Sequence, residues 1–458
     1  MKIDRADVIW NYAATFLKIA ASFLLLPFIL RLPSETVGIW SVFVVVNALI
    51  SLFDFGFNPS FTRNITYILS GIQKLKVKGF PSIPAKSNYE IDYGLLKGVI
   101  KTMQWFYLRT AALFFLLVST LGTYYIYILL KNYQGNHSEV YIAWAFLCII
   151  NTYNLSSLYY DSLLQGKGLV KSSKKIVIVS QVAYLIIAII LIMSGKGLIA
   201  IVVAQGISVV IVRWLSYRLF FTAELKNLLL KAEVRSKLEI LQAVYPNAVK
   251  IGLTTLGGII IQRAALVIGS LYLTLEEIAS YGITMQILLI ISGMASVYTN
   301  TYQAKIVQMR LKNDIENIKK IYIKGQLIFI VTYLSAALFL LLMGNWALNS
   351  IGSHTKLLPS SMMLLAIFLS FEQTNFTIAG NILVTKNEVP FFRSSLISGA
   401  FIISSLIIAF QFFNIGIPGM LIIPIIIDFA YQAWKWPLEI TKDLRLAPVD
   451  FGKTDYLK

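Results

Sequence analysis

The sequence predicts an all-α integral membrane protein of about twelve transmembrane helices in two six-helix bundles, and three observations predict it. Of its 458 residues 57% are hydrophobic and only 14% charged, and the mean hydropathy of +0.73 lies outside the range of soluble chains. Apolar runs of about 20 residues, long enough to cross about 30 Å of hydrocarbon at 1.5 Å per residue, recur along the whole length. Basic residues gather in alternate connections, as they do in loops retained in the cytoplasm.

The runs fall at 10–30, 37–57, 108–130, 140–162, 176–194, 198–220, 247–271, 278–302, 325–346, 358–384, 391–413 and 417–436. With the N-terminus inside, one inner connection carries Lys74, Lys76, Lys78, Lys86, Lys97 and Lys101, and another Lys305, Arg310, Lys312, Lys319, Lys320 and Lys324. Outer loops hold only Arg31, Lys131, Lys196 and Lys356, which places both termini in the cytoplasm. The tryptophans, among them Trp10, Trp105, Trp214 and Trp434, sit near span ends, where an amphipathic ring prefers the headgroup level. The basic inner segment 74–101, with two prolines, is expected to form interfacial helix pieces that bind anionic lipid or a partner enzyme.

The net charge of +18 follows topology, because a nucleic-acid site would need a basic soluble domain, so no nucleic-acid partner is expected. Enzyme readings lack their parts. Cys148, the one cysteine, lies in the fourth run, and His137 and His354 sit in outer loops without a second ligand nearby, so neither a disulfide framework nor a metal site is expected. No G-x-x-x-x-G-K-[ST] supplies an ATP motor. The outer loops are short, and the N-terminus, with Asp4 and Asp7, reads as an ordinary first helix. Transport, channel activity or scaffolding remains, with no cofactor.

The chain also repeats itself. A shift of 241 lays "RLPSETVGIWSVFVVVNALIS" (31–51) over "YLTLEEIASYGITMQILLIIS" (272–292), pairing Leu32 with Leu273, Glu35 with Glu276 and Trp40 with Tyr281. That shift spans six runs, so both copies run the same way through the membrane. The expected organisation is an N-terminal lobe (1–222), a cytoplasmic interfacial linker (223–244), a C-terminal lobe (245–438) and a cytoplasmic tail (439–458).

The opening stretch "LLPFILRLPSETVGIWSVFVVVNALISLFDFGFNPSFTRNI" (25–65) carries a resemblance. Pro27, Gly38 with Trp40, the Asp54-Phe55-Gly56 segment and Arg63 match the first hairpin of the polysaccharide (O-antigen) flippase family, within the multidrug/oligosaccharidyl-lipid/polysaccharide exporter superfamily. The resemblance implies a protein of the bacterial inner membrane. It would move an undecaprenyl-pyrophosphate-linked oligosaccharide outward by alternating access between two lobes, with a polysaccharide polymerase and a chain-length regulator as partners in lipopolysaccharide assembly. The lipid II flippases of the same superfamily resemble the chain less, since they usually carry two further C-terminal spans.

Residue chemistry gives an independent reason. In "IGLTTLGGIIIQRAALVIGSLYL" (251–273), Arg263 sits inside an apolar run where a charge costs about 2.5–3.5 kcal/mol. It either helps clamp a diphosphate or bonds helix carbonyls or a buried carboxylate. Lys18, about 12 Å into the first helix, is its natural partner. Lys250 shares a face with Arg263 only if Gly257-Gly258 bends the helix, since thirteen residues turn it roughly 140°. Arg63 either meets the diphosphate at the inner end of the second helix or obeys the positive-inside rule. Among carboxylates, Glu372, beside Gln373 and Asn375, is an ion-coupling candidate or an inter-lobe salt bridge. Asp54 is a second ion-coupling candidate, although structural pairing is favoured for it and for Asp161 and Asp428. Asn47, Asn151, Asn154, Gln286, Asn300 and Gln303 suit a sugar-lined cavity or helix packing equally. A multidrug antiporter, which would favour carboxylates over these cations, a non-transporting scaffold of a polysaccharide-assembly complex and an anion channel are the rival readings.

Overall fold

The computed structural model describes residues 5–73, 75, 91–311, 313–386, 390–413 and 415–446. The side chains of Lys18 and Lys250, most of the 74–101 segment and the end of the 439–458 tail lie outside the described residues. Among the described residues there is no strand. The helices are α1 (Arg5–Ile29), α2 (Ser34–Asp54), α3 (Phe57–Leu69), α4 (Tyr93–Leu117), α5 (Thr123–Leu129), α6 (His137–Ser156), α7 (Tyr159–Gly166), α8 (Val170–Met193) and α9 (Gly197–Phe220). They continue as α10 (Ala223–Lys231), α11 (Lys237–Gly269), α12 (Leu275–Ala295), α13 (Val297–Leu311), α14 (Ile315–Ser350), α15 (Ser360–Leu383), α16 (Phe392–Phe412), α17 (Gly416–Ala430) and α18 (Gln432–Asp443).

Among the described residues ten helical stretches are long and apolar enough to cross a membrane, which makes this a multi-pass membrane protein. Two more predicted positions are occupied by α1 and α6, of 25 and 20 residues. Polar caps start several helices. Asp92 accepts from the Leu95 N–H at 2.8 Å, and Thr274 and Glu277 bond reciprocally as a capping box at the head of α12.

Several predicted spans are interrupted near one end. The second run ends early because Phe55 and Gly56 take left-handed backbone angles (φ 48° and 71°), so α3 starts in a new direction. A bulky aromatic at positive φ is unfavourable, and here the neighbours impose it. The Asp54 carboxylate accepts from the Asn58 N–H at 3.1 Å, and a Cβ on Gly56 would lie 2.6 Å from the Ala248 carbonyl oxygen. The fourth, eighth and twelfth runs break likewise, at Ser157-Leu158, Ser296 and Tyr431.

The repeat is visible in the element limits. The starts of α2 and α12 (34 and 275) differ by 241, and each helix has 21 residues. Beyond the third helix the difference falls to 222, as between α4 and α14 (93 and 315) and between α8 and α16 (170 and 392).

By contact the chain forms two compact units. One joins Met1–Leu25 with Val46–Leu256, the other Leu26–Val45 with Gly257–Lys458. In the first unit, α3 packs on α7, where the Ser162 hydroxyl donates to the Asn58 side chain at 2.9 Å. The linker segment lies against α4 through an Arg235–Asp92 ion pair at 3.0 Å and a Lys97 bond to the Ala232 carbonyl at 2.8 Å. In the second unit the turn between α1 and α2 is held by the Arg31 bond to the Ile351 carbonyl and by the His354 N–H bond to the Leu30 carbonyl, both 3.0 Å. Gly38 is required there, since a Cβ would stand 2.3 Å from the Leu275 carbonyl oxygen.

Candidate functional site

The polar side chains inside the first unit close on one another. Asn47 on α2, Asn151 on α6 and Gln205 on α9 form an amide triangle: Asn151 donates to Asn47 at 2.7 Å, and Asn47 and Gln205 exchange bonds of 3.2 and 3.1 Å. Further along α9 than Gln205, Arg213 is 4% exposed. It donates to Asp161 at 2.9 Å and to Asn154 at 2.6 Å. Asp54 accepts from the Tyr107 hydroxyl at 2.6 Å in addition to capping α3. Each bond joins two helices or closes a cap, and the charge of Arg213 is balanced within its own unit.

The second unit differs. Arg263, partly buried on α11, has no ion-pair or hydrogen-bond partner among the described residues. It faces a small cavity of about 20 Å³ with Gln262, Ser41, Tyr281, Met285 and Gln286. That volume suits about one water molecule. Gly282 makes the narrow fit, because a Cβ there would lie 2.4 Å from the Ser41 hydroxyl.

Glu372 on α15 is 5% exposed, and neither carboxylate oxygen has a hydrogen-bond partner among the described residues. Asp428 on α17 is fully buried. One of its oxygens accepts from Gln373 at 3.1 Å, and the other has no partner among the described residues. Buried polar atoms without partners are rare, and a carboxylate in that state is costly. Each of these carboxylates has an oxygen free to accept a proton. No cluster of three or more metal-ligating acidic, histidine or cysteine side chains occurs among the described residues.

Arg63 is exposed on α3 in the first unit, whereas Arg263 and Glu372 belong to the second. Glu372 does not line the Arg263 cavity. The sequence reading overlooked Gln205, whose only signal is a lone amide in an apolar run, and did not couple Gln373 to Asp428. It also left Arg213 without a role, although Asp161 on α7, two helices earlier, is its counter-charge.

The fold is similar to those of solved MOP-superfamily transporters. Among solved structures, the chain resembles the MATE multidrug transporter DinF-BH (TM-score 0.63, 12% identity, 97% of each chain covered). It resembles the lipid II flippase MurJ in an inward closed conformation (TM-score 0.61, 12% identity, 97% of this chain and 88% of that one). It also resembles a MOP-superfamily transporter from Pyrococcus furiosus, reported to have a binding pocket of reverse polarity (TM-score 0.51, 14% identity, 98% and 95% covered). No protein-family profile matches the sequence, and no curated protein matches it.

Proposed function

We propose that this chain is a flippase of the bacterial cytoplasmic membrane, carrying an undecaprenyl-pyrophosphate-linked oligosaccharide, such as an O-antigen repeat unit, to the outer leaflet by alternating access. The observation that carries this reading is the uncompensated guanidinium of Arg263. A cation inside a span is retained at a cost, and a diphosphate arriving with the cargo is the anion that repays it through charge-assisted hydrogen bonds. Arg213, likewise inside an apolar helix but paired with Asp161, shows what a purely structural arginine looks like in the same fold. Gln262, Gln286, Ser41 and Tyr281 around the cavity supply the hydroxyls and amides a sugar or phosphate needs. At about 20 Å³ the cavity must widen for any such group, and withdrawal of Ser41 from Gly282 is the movement that does it.

Lys18, Lys250 and Arg63 are the other cations assigned to the cargo's path. Glu372, with Asp428 beside Gln373 and in preference to Asp54, is assigned to ion coupling. An inside-negative potential favours export of the anion by about 2.3 kcal/mol per charge per 100 mV. A polymerase and a chain-length regulator are the expected partners on this reading.

The deciding experiment is flipping of a short-chain diphosphate-linked oligosaccharide in proteoliposomes by wild type, Arg263→Gln and Arg263→Lys at equal insertion. Loss in Gln with partial retention in Lys is expected. Full activity in Gln removes the proposal, and uptake of a cationic dye in place of the oligosaccharide points to a multidrug antiporter.

A further inference from the structure

A second concavity lies wholly within the first unit and plays no part in the reading above. It is an open groove of about 770 Å³ where the end of α2, the start of α3, α4 and the start of α11 meet. Phe53, Phe55, Phe57, Trp105, Phe106 and Tyr245 line it, with Phe57 and Phe106 stacked at 3.9 Å. The left-handed backbone at Phe55 directs this ring onto Gly252, where a Cβ would meet it at 2.5 Å.

One cation, Arg109, lines the groove, and a second, Lys237, lies outside the lining but against the same Trp105 ring. The Arg109 guanidinium and the Lys237 ammonium each lie 4.3 Å from the centroid of the Trp105 ring, and hence within about 9 Å of each other. Neither has an ion-pair partner among the described residues, and no carboxylate among them lines the groove. Two like charges held this close at a membrane edge repel, and an anion between them relieves the repulsion.

Depth places them at one headgroup level. The span continues from α4 through residues 118–122 to Leu129 of α5, about 30 Å of helix from Arg109. Arg109 therefore sits at the inner edge of the hydrocarbon, on the side of the basic connections. Leu108, Leu113 and Leu116 are exposed along α4, as expected of a surface facing lipid chains.

We propose that this groove is a binding site for an anionic phospholipid of the cytoplasmic leaflet, its phosphate held by Arg109 and Lys237 and one acyl chain laid across the aromatic floor. The lining favours a phospholipid over a glycolipid, because among the described residues Thr110 and Gln242 are its only uncharged polar side chains apart from Tyr245 and the Trp105 indole, too few to read sugar hydroxyls. The bound lipid straps the first turns of α11 to α2, α3 and α4.

Native mass spectrometry of the full chain in detergent, titrated with dioleoyl phosphatidylglycerol or dioleoyl phosphatidylcholine, tests the site. The wild type is expected to retain phosphatidylglycerol preferentially, and Arg109→Gln/Lys237→Gln to bind it at least roughly tenfold more weakly. Arg109→Lys/Lys237→Arg is expected to recover binding. Leu241→Trp, which fills the groove but keeps both cations, is expected to lose it. The control pair is Arg218→Gln/Lys226→Gln, whose cations rest on Trp214 and Tyr217 at 3.8 and 4.9 Å outside the groove; it should bind like wild type. Equal losses in the groove and control pairs, or equal retention of the two lipids, overturns the proposal. Displacement of phosphatidylglycerol by an equimolar polyprenyl diphosphate also overturns it, by making the groove a cargo site.

Discussion

The same place in the two copies of the repeat is built in opposite ways. Asn47 and Asn151 of the first unit correspond, by offsets of 241 and 222, to Leu288 and Gln373 of the second, and Gln373 bonds Asp428. In the first copy three amides close a triangle. In the second, leucine stands in place of Asn47 and the remaining amide, Gln373, meets a carboxylate, so one oxygen of Asp428 is left without a partner among the described residues. Glu372 stands where the first copy has Ile150, and it too is unpartnered there. The arginines follow the same division, Arg213 paired and Arg263 not. One packing scheme thus either closes on itself or leaves carboxylate oxygens without a partner among the described residues, and on the proposed function the second arrangement is held ready for a charge that comes and goes.

The contrast can be broken most severely at the arginines. Arg213→Met should destabilise the protein by about 3 kcal/mol, the low end for breaking a buried pair because the Asp161 side chain is 31% exposed. Arg263→Met, read in the same thermal unfolding series in detergent, should cost less than about 1 kcal/mol while abolishing flipping. Equal destabilisation by the two would erase the distinction. Next in size, Asn47→Leu, which imposes the second copy's residue on the first, should cost about 1–2 kcal/mol by stranding Asn151 and Gln205.

The reverse transplant sharpens the comparison further. Leu288→Asn with Glu372→Ile and Asp428→Gln should rebuild a closed triangle, with stability within about 1 kcal/mol of wild type, yet remove any dependence of transport on a sodium or proton gradient. Retained ion dependence would mean that coupling resides elsewhere. The smallest effect belongs to Tyr107→Phe, about 0.6 kcal/mol, the mean for a hydrogen bond between helices in a membrane. A loss of several kcal/mol there would promote Asp54 from helix cap to the centre of the first unit.

Much of the fold was legible because the bilayer makes length and apolarity decisive, and the 241-residue repeat predicted the twin limits of α2 and α12. The helix breaks were harder to read. Asp54-Phe55-Gly56 carries a turn signal in its glycine, but the left-handed Phe55 is set by Gly252 and Ala248 on a helix nearly 200 positions away in the chain. Arg263 and Glu372 were legible as anomalies, since charge inside an apolar run needs no partner to be noticed. What they face, and the pairing of Arg213 with Asp161, required helix positions in space. The aromatic groove was hidden for the same reason, its residues being scattered over three stretches that each look like ordinary span ends.

The drop in offset from 241 to 222 has a historical meaning. The connection between α3 and α4 occupies residues 70–92, whereas its counterpart between α13 and α14 occupies only 312–314. Two copies made by duplication would begin with equal connections, so the unequal lengths mark a gain or loss in one copy. A pair of identical subunits can alter a loop only in both members at once. In a single chain that constraint is absent, and the two halves carry connections of unequal length.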